Sequence, residues 1–366
     1  DVIGLPIVDK NLIVRDFVLI DKQNNLCYFN KHAIPKEHLD KILIIGGAGY
    51  IGSNMTALLA AEGHEPTVFD NLSKGHISAI PQTEFVRGDL ADYELLVATL
   101  RDYKIEAVMH FAAFIEVGES VAEPLRYYHN NFSCTQNLLS AMETAAVEKF
   151  VFSSTAAVYG NPRVVPIPEY SPTEPINPYG QTKLAVEKMC RDQSDAGKLS
   201  YAALRYFNAC GAGNDATLGE DHRPESHLIP LTIQAAMGKR DDIKIYGTDY
   251  ETRDGTCIRD YIHIDDLCRA HLLALDKLDD SREIICNLGN ETGHSVREVI
   301  ETVRKVSGKD FKVVETERRP GDPPTLTADA ARARSELGWK IEKPDLEEMV
   351  STAWQWHTSH PDGYPD

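Results

Sequence analysis

The sequence predicts an α/β protein with a doubly wound parallel sheet and a smaller C-terminal α/β lobe. Two observations support this fold class. From Lys41 onward, short apolar runs alternate with helical stretches, the order that builds a parallel sheet covered by helices on both faces. A glycine-rich segment lies between the first apolar run and the first helical stretch. The chain has 366 residues, 42% of them hydrophobic, which is enough for a sizeable buried core.

The individual elements follow in chain order. Apolar runs predict strands at 42–45, 67–69, 85–86, 105–109, 150–152 and 202–206. Helical stretches are predicted at 50–62, 92–102, 124–145 and 178–193, and again at 228–237, 265–278 and 295–306. Residues 1–40 carry three short apolar bursts and no motif, and we interpret them as an N-terminal extension of unknown role. The predicted organisation is a core domain at 41–207 and a second lobe at 208–366, with strand exchange between the lobes left open.

The composition argues against several partners and compartments. Lys and Arg number 38 and Asp and Glu number 56, so the formal net charge is −18, which repels nucleic-acid phosphates and anionic membranes. The seven cysteines are widely spaced and include no C-x-x-C pair, which favours a reducing compartment. No apolar run reaches the length of a membrane span, and the first residues lack the pattern of a signal peptide. We therefore expect a cytoplasmic protein with no nucleic-acid or membrane partner and no metal site.

The glycine-rich segment is typical of a dinucleotide-binding Rossmann fold. Gly46 permits the tight turn after the strand, Gly49 lets the backbone approach a pyrophosphate, and Gly52 allows close packing of the helix. The N-terminus of the following helix offers unpaired N–H groups to an anion. Asp70 ends the next strand, where its carboxylate can accept hydrogen bonds from ribose hydroxyls and would repel a 2′-phosphate. The segment therefore predicts NAD as the cofactor, in preference to NADP.

Two further strand ends belong to the same predicted edge of the sheet. Asp89 follows the third strand, where its carboxylate could reach the adenine amino group; the alternative is a simple cap for the helix that begins near Asp92. The small residues of 110–113 end the fourth strand and allow the backbone to lie beside a cofactor. Ligands of open α/β sheets bind at these carboxyl ends.

Tyr179 and Lys183 form a Tyr-x-x-x-Lys pair on a predicted helix, so they lie on one face. A tyrosine with an ordinary pKa of about 10 acts as a base near neutral pH only if positive charge stabilises its phenolate, and Lys183 and an oxidised nicotinamide would supply that charge. The alternative is a pair on the surface of a helix. Because the pair follows a dinucleotide-binding motif and the Ser153-Ser154-Thr155 strand end, we interpret it as catalytic.

Together these motifs resemble the extended short-chain dehydrogenase/reductases and, among them, the UDP-glucose 4-epimerases, over roughly residues 41–357. The matching blocks are 46–53, 70–73, 110–113, 117–120, 153–160, 177–183, 205–208, 259–263 and 319–322. The resemblance implies that Tyr179 is the base, that Lys183 binds the nicotinamide ribose and lowers the tyrosine pKa, and that Thr155 contacts the sugar hydroxyl. It also implies NAD contacts from Tyr50, Ile51, Asp70, Asn71, Asp89, Leu90, Phe111, Ala112, Asn130 and Lys183.

The same resemblance implies a UDP-sugar substrate, held mainly by the lobe at 208–366, and we expect a homodimer. It places Asn208 at the diphosphate, and it places Leu228, Lys244, Tyr246, Arg259, Arg319 and Asp322 in or around the uridine pocket. Guanidinium groups suit diphosphates because their planar donor fork matches two oxygens. For Arg319, the alternative is a solvated basic pair with Arg318.

Two positions depart from the family pattern. Ile115 stands where many members carry a lysine near the cofactor, and His227 stands where an asparagine is frequent; no role is carried over to His227. Leu326 matches a position that lies beside the C2 substituent of the sugar in the family. A leucine there predicts a preference for UDP-glucose and UDP-galactose with some turnover of UDP-N-acetylglucosamine, whereas the alternative is a core leucine without sugar contact.

The resemblance implies interconversion of UDP-glucose and UDP-galactose at C4 through a transient 4-keto sugar. Related nucleotide-sugar dehydratases and decarboxylases carry acidic residues directly after the catalytic Ser or Thr. Here Thr155 is followed by Ala156 and Ala157, which cannot supply the additional acid and base of an elimination. Another nucleotide-sugar epimerase or dehydratase, a reductase with exchangeable cofactor, and a non-catalytic NAD sensor remain as alternatives.

Overall fold

A computed structural model of the chain describes residues 19–20, 26–27, 40–213, 216–319 and 322–365. The strands are β1 Leu19–Ile20, β2 Leu26–Cys27, β3 Lys41–Ile45, β4 Glu65–Asp70, β5 Glu84–Arg87, β6 Ala107–His110, β7 Lys149–Thr155, β8 Ser200–Tyr206, β9 Asn208–Cys210, β10 Ile243–Tyr246, β11 Ile258–Arg259, β12 Tyr261–His263, β13 Glu283–Leu288, β14 His294–Ser295, β15 Val313–Thr316 and β16 Thr325–Leu326. The helices are α1 Tyr50–Glu62, α2 Tyr93–Asp102, α3 Val117–Ala122, α4 Pro124–Tyr127, α5 Cys134–Ala145, α6 Pro178–Asp195, α7 Leu228–Ala236, α8 Ile264–Lys277, α9 Val296–Ser307, α10 Ala331–Leu337 and α11 Leu346–Ser359.

The predicted fold class is confirmed by a seven-stranded sheet in the order β13-β8-β7-β6-β3-β4-β5, in which every neighbouring pair is parallel. The chain builds outward from β3 in one direction through β4 and β5, and in the other through β6, β7 and β8. The order therefore reverses between β3 and β6. At such a point the connecting helices leave toward opposite faces, and a crevice opens above the carboxyl ends of the strands.

Successive side chains of β3 serve two cores, because a strand points alternate residues to opposite faces of the sheet. Ile42 and Ile44 pack in the cluster that includes α1 and α8, whereas Leu43 and Ile45 pack in the cluster that includes α2 and α5. All four are at most 1% exposed. The continuous apolar run that predicted this strand is thus explained by burial on both faces.

One predicted helix differs from the structure. The prediction of a single helix at 124–145 is replaced by α4, a π-helical turn at Tyr128–Ser133 and α5. The turn brings Asn131 to the loop after β6, where its side-chain amide donates to Phe114 O and its Oδ1 accepts from Phe114 N, at 2.9 and 2.8 Å. The wider turn therefore fixes a loop at the sheet edge, as π turns often do beside functional sites.

The second half of the chain contributes one strand to the large sheet and also forms smaller sheets and a helical cluster of its own. Strand β13 pairs in parallel with β8 and forms one edge of the seven-stranded sheet. Smaller sheets join β9 with β12, β10 with β15, and β14 with β11 and β16. Helices α7, α9 and α11 share an apolar cluster that includes Ile233, Val299 and Met349. The predicted division of the chain at 207/208 stays a prediction, and the interpretation of 1–40 falls largely outside the described residues.

No helix in the described part of the chain combines the length and apolar character that crossing a bilayer requires.

Candidate active site

A cavity of about 650 Å³ opens at the carboxyl ends of β3, β4, β6 and β7, where the strand order reverses. We call the part of its lining contributed by residues 45–183 the N-terminal wall, and the part contributed by residues 206–326 the C-terminal wall. The volume suits a bound small molecule or cofactor. All the predicted cofactor positions line the cavity: Gly46, Gly49, Tyr50, Ile51, Gly52, Asp70, Asn71, Asp89, Leu90, Phe111, Ala112, Asn130 and Lys183.

Two of the three loop glycines are required by contacts within the chain. Gly46 has φ +79°, and a Cβ there would lie 2.6 Å from Ala112 N. A Cβ on Gly52 would lie 2.2 Å from Gly46 O, so the close packing predicted for Gly52 is against the loop itself. A Cβ on Gly49 would meet only Gly46 O, at 3.4 Å, so nothing within the chain excludes a side chain at Gly49.

The N-terminus of α1 fits a dinucleotide phosphate. Gly49, Tyr50 and Ile51 line the cavity there, the N-cap Gly49 has no side chain to occupy the free N–H groups, and the first turn contains no acidic residue. The first N–H groups of a helix lack intrahelical partners and favour anions. The backbone therefore offers the donors that a pyrophosphate needs, and the residues present fit NAD.

Asp70 ends β4 with both carboxylate oxygens already oriented by the backbone. Its Oδ2 accepts from Ala48 N at 3.0 Å, and its Oδ1 accepts from Leu72 N at 2.8 Å. Burial raises the pKa of this carboxyl, and these two hydrogen bonds oppose the shift. The carboxylate thus stands at a fixed position in the cavity with lone pairs left for hydroxyl donors.

Asp89 does not cap α2, so that alternative is wrong. The cap is Asp92, whose Oδ1 accepts from Leu95 N at 3.0 Å. Asp89 instead accepts from Asn71 Nδ2 at 2.8 Å and lines the cavity. Its predicted contact with the adenine stays a prediction.

Tyr179, Lys183 and Thr155 meet in the N-terminal wall. Asn177 caps α6 through a hydrogen bond from Gly180 N at 2.9 Å, and Pro178 occupies the first turn, so the helix begins just before the tyrosine. Burial raises the pKa of Tyr179, and a hydrogen bond with the Thr155 side chain opposes the shift. The threonine is therefore placed to exchange a proton with the phenol.

Lys183 is 4% exposed, and its Nζ donates to Ser153 O at 2.9 Å. Burial lowers its pKa to about 7, and the charge of Glu187 opposes that shift. Burial thus favours the neutral form of both members of the Tyr-Lys pair. A positive charge brought into the cavity would shift the phenol toward its ionised form.

One turn beyond Lys183, a buried ion pair holds α6 to the sheet. Arg205 donates through Nε to Glu187 Oε1 at 3.0 Å and through Nη2 to Oε2 at 2.5 Å, with both side chains at most 5% exposed. Arg205 also donates to Tyr159 Oη at 2.9 Å, which donates to Asn287 Oδ1 at 2.7 Å. This network joins β8 and β13 to the helix that carries the Tyr-Lys pair, and no sequence motif indicated it.

The C-terminal wall receives four of the predicted substrate residues: Asn208, Arg259, Asp322 and Leu326. Arg259 lies 3.5 Å from Asp322 through Nη2 and Oδ1, and its Nη1 donates to Pro323 O at 2.9 Å. Asn208 donates to Asp260 O at 2.8 Å. A guanidinium, an amide and a carboxylate thus share this wall with the partly buried side chain of Leu326.

Four predicted substrate residues lie outside the cavity lining. Leu228 begins α7 and packs against two apolar clusters, and Lys244 is exposed on β10. Arg319 stacks over the Tyr246 ring with Cζ 3.8 Å from the centroid, so these two residues contact each other. Its neighbour Arg318 is engaged separately, through Nε to Asp249 Oδ1 at 2.7 Å. The predicted roles of these four residues stay predictions.

Sequence reasoning missed a cluster of titratable side chains on the C-terminal wall: Glu220, His222, Glu225 and His227. Burial lowers the pKa of His227, but the charges and hydrogen bonds of Glu220 and Glu225 outweigh burial and raise it well above its usual value. The signal that could have found the cluster is the run E-x-H-x-x-E-x-H in the sequence. Ile115, the other departure noted in the sequence, lines the cavity.

Comparisons with known proteins identify the family of the chain. The profile of the NAD dependent epimerase/dehydratase family matches residues 42–289. The UDP-glucose 4-epimerase of Halalkalibacterium halodurans is 50% identical over 324 residues, which are 88% of this chain and 97% of that protein. The UDP-glucose 4-epimerase of Brucella ovis, solved in complex with NAD, has a TM-score of 0.85 and 47% identity, and the match covers 87% of this chain and 98% of that one.

A further solved structure is named for two sugars. The UDP-Glc/GlcNAc 4-epimerase of Campylobacter jejuni has a TM-score of 0.78 and 46% identity, and the match covers 87% of this chain and 99% of that one. The sequence match, the seven-stranded parallel sheet and the cavity at its carboxyl edge all agree, and the chain belongs to the NAD dependent epimerase/dehydratase family.

Proposed function

We propose that the protein is an NAD-dependent UDP-glucose 4-epimerase, an isomerase that interconverts UDP-glucose and UDP-galactose. The observation that carries the proposal is the meeting of Tyr179, Lys183 and Thr155 with the glycine-rich loop in one cavity. The curated UDP-glucose 4-epimerases whose matches cover 88% and 89% of this chain support it.

The residues of the N-terminal wall divide the work between binding and proton transfer. The N-terminus of α1 and Asp70 would hold the cofactor, which when bound would supply a group able to take up the C4 hydride and give it back, together with a positive charge in the cavity. Tyr179 accepts the proton of the C4 hydroxyl, directly or through Thr155, as the sugar becomes a transient 4-keto intermediate. It returns the proton after the other face of the ring has been presented, so C4 is inverted.

The residues of the C-terminal wall hold the nucleotide while the sugar turns. Arg259 and Asn208 supply donors for the diphosphate, and Asp322 accepts from ribose hydroxyls. Leu326 adds an apolar surface in the same lining. A nucleotide anchored at one end allows the untethered ring to rotate between the two half-reactions.

A dehydratase is the second candidate, and the wall beside Thr155 disfavours it. Ala156 and Ala157 line the cavity directly after the threonine and carry no acid or base. An elimination at C5 and C6 requires such groups in addition to Tyr179. The local chemistry supports a reaction confined to C4.

The test uses purified full-length protein, UDP-galactose and no added NAD. We expect UDP-glucose to form until equilibrium, with NAD retained by the protein and no net accumulation of NADH. Release of NADH in step with turnover would instead indicate a dehydrogenase. Formation of a 4-keto-6-deoxy sugar would indicate a dehydratase.

We further propose that the protein works as a homodimer in the cytoplasm. Large apolar side chains on α3 and α4 are exposed, with Val121 at 64% and Leu125 at 82%, and a second copy would cover them. The six cysteines from Cys134 to Cys286 are buried free thiols, which suits a reducing compartment. Light scattering of the wild type and of Leu125→Glu tests the first point, because the charge should lower the mass to that of one chain.

A further inference from the structure

Four side chains converge at the edge of the C-terminal wall, three of which line the cavity. Glu220, His222, Glu225 and His227 each offer one ligand atom, and these atoms all lie within 4.8 Å of one another. Nδ1 of His227 lies 2.8 Å from Glu220 Oε1 and 3.0 Å from Glu225 Oε1. Nδ1 of His222 lies 3.1 Å from Glu220 Oε1 and 3.8 Å from Glu225 Oε2.

We propose that these four residues bind one divalent transition-metal ion, of the zinc class, as a structural site. In a tetrahedral site with bonds of about 2.0 to 2.2 Å, neighbouring ligand atoms are separated by about 3.3 to 3.6 Å. Three of the histidine-to-carboxylate separations, at 2.8, 3.0 and 3.1 Å, are shorter than that range, and the fourth, 3.8 Å from His222 to the second oxygen of Glu225, is longer. Side-chain rotations that move the ligand atoms by about half an ångström would therefore admit the ion. The sequence predicts no metal site, because its cysteines lack the spacing of one.

The donor set selects the class of metal. Two imidazole nitrogens and two carboxylate oxygens suit zinc and its neighbours in the first transition row, whereas magnesium and calcium prefer oxygen ligands alone. Two carboxylates and two neutral imidazoles also balance the charge of a divalent ion. The carboxylates of Glu220 and Glu225 are at 6% and 4% side-chain exposure, so a divalent ion would compensate two buried charges.

Four protein ligands complete a tetrahedral shell, so no position is left for water or substrate, as in structural zinc sites. The segment that carries the ligands is anchored independently. Asp221 Oδ2 accepts from Tyr364 N at 2.9 Å and from Arg223 Nη2 at 2.7 Å, and Gly219 N donates to Tyr364 Oη at 3.1 Å. These contacts hold the backbone beside the ligands, which lowers the ordering cost of binding an ion.

The ion would fix a wall of the cavity without entering the reaction. Glu220, His222 and His227 line the cavity, and His227 is the N-cap residue of α7. Binding would tie the chain between β9 and α7 to the start of that helix. Metal content is measured without substrate, so the site can be tested whatever the outcome for the proposed epimerase activity.

The test begins with full-length protein purified without metal-affinity resin. We expect about one equivalent of zinc per chain by mass spectrometry of the digested protein. After removal of the metal with a chelator, Co²⁺ should bind with one-to-one stoichiometry and give the visible absorption of a tetrahedral ion. Both signals should be lost in His222→Gln and His227→Gln and kept in the control His129→Gln, an exposed histidine outside the cluster.

Three results would overturn the proposal. The first is wild-type protein that contains less than about a tenth of an equivalent of zinc and binds no Co²⁺ saturably. The second is an unchanged Co²⁺ spectrum in both histidine variants. The third is a thiolate-to-cobalt charge-transfer band in the wild type, which would assign the metal to cysteine; this reading needs no variant and stands even if a substitution prevents folding.

Discussion

The two walls of the cavity are built in different ways. The N-terminal wall rests on the ends of long parallel strands and on helix termini, such as the first turn of α1 and the capped start of α6. The C-terminal wall rests on loops and on strands as short as β11 and β16, which have two residues each. Positions on the first wall are dictated by the sheet, whereas positions on the second depend on side-chain contacts. Substitutions should therefore separate cofactor binding and chemistry from nucleotide binding.

The largest effect is expected for Tyr179→Phe, which removes the phenolic oxygen and nothing else. The rate should fall by about 10²-fold or more, the usual contribution of a general base, with UDP and NAD binding close to normal. Steady-state kinetics with UDP-galactose and calorimetric titration with UDP measure the two quantities. The control is Tyr206→Phe, a second phenol in the cavity, bonded to Ser153 Oγ at 2.5 Å. An equal loss in that variant would contradict the assignment of the base to Tyr179.

The glycine loop allows fold and cofactor binding to be separated. Gly46→Ala should lower the free energy of unfolding by about 1 kcal/mol or more, because φ is +79° and the new Cβ would lie 2.6 Å from Ala112 N. In Gly49→Ala the new Cβ would lie no nearer than 3.4 Å to another atom of the chain. The stability of this variant should therefore be nearly unchanged, while its NAD retention falls. Urea unfolding measures the stability of each variant, and the ratio of bound NAD to protein measures its cofactor retention. Equal destabilisation of the two variants would refute this separation.

On the C-terminal wall, Arg259→Met should weaken UDP binding by about tenfold or more, the effect of losing charge-assisted hydrogen bonds. NAD retention should not change. Arg319→Met tests whether an arginine outside the cavity lining contributes to UDP binding, and Arg318→Met is the control for it. Calorimetric titration of all three with UDP is the measurement. If only Arg319→Met weakened binding, the nucleotide would have been assigned to the wrong arginine.

Lys183 predicts a pH dependence of stability in protein stripped of NAD. Burial lowers its pKa to about 7, whereas an unfolded lysine titrates near about 10.4. Between these values the unfolded chain binds the extra proton, so the free energy of unfolding should rise with pH, by at most about 1.4 kcal/mol per unit. Lys183→Met should flatten that rise, and Lys188→Met, an exposed lysine on α6, should not. Identical slopes in urea unfolding between about pH 7.5 and 9.5 would count against a buried neutral lysine.

Leu326→Tyr should change the preference between substrates and leave the reaction at C4 in place. If Leu326 lies beside the C2 substituent, the larger side chain should lower kcat/KM for UDP-N-acetylglucosamine relative to UDP-glucose, by the roughly 1 to 3 kcal/mol typical of apolar pockets, or about 5- to 150-fold. Kinetics with both substrates measure the ratio. An unchanged ratio would remove the residue from the sugar pocket.

The contrast between the walls also explains what the sequence could predict. Strand and helix positions from Lys41 to Tyr206 follow largely from apolar runs that are buried on both faces of the sheet. The edge strand β13 was not predicted, because its short apolar run of Ile284, Ile285 and Cys286 is interrupted by Asn287, although all of these side chains are buried. The π turn at Tyr128–Ser133 has no glycine or proline to mark it.

Sequence spacing determines the geometry of some predicted site residues and not of others. The Tyr179 and Lys183 pair lies on one helix, so its juxtaposition follows from the helical repeat. Lys244 and Tyr246 lie on β10 and Arg319 follows β15, and nothing local determines how far those strands stand from the cavity. Glu220 and His227 converge through a folded loop, which only the three-dimensional structure reveals.

Helix α6 carries Tyr179, Lys183 and Glu187 at successive intervals of four residues, with the buried Arg205 ion pair at the last of them. A slip of one residue along the helix would turn this face by about 100°, and it would leave both Glu187 and Arg205 without a partner. The ion pair therefore sets the rotational phase of the helix about its own axis. The direction in which the Tyr179 side chain points into the cavity is therefore fixed by the contact of Glu187 with Arg205, about two helical turns away.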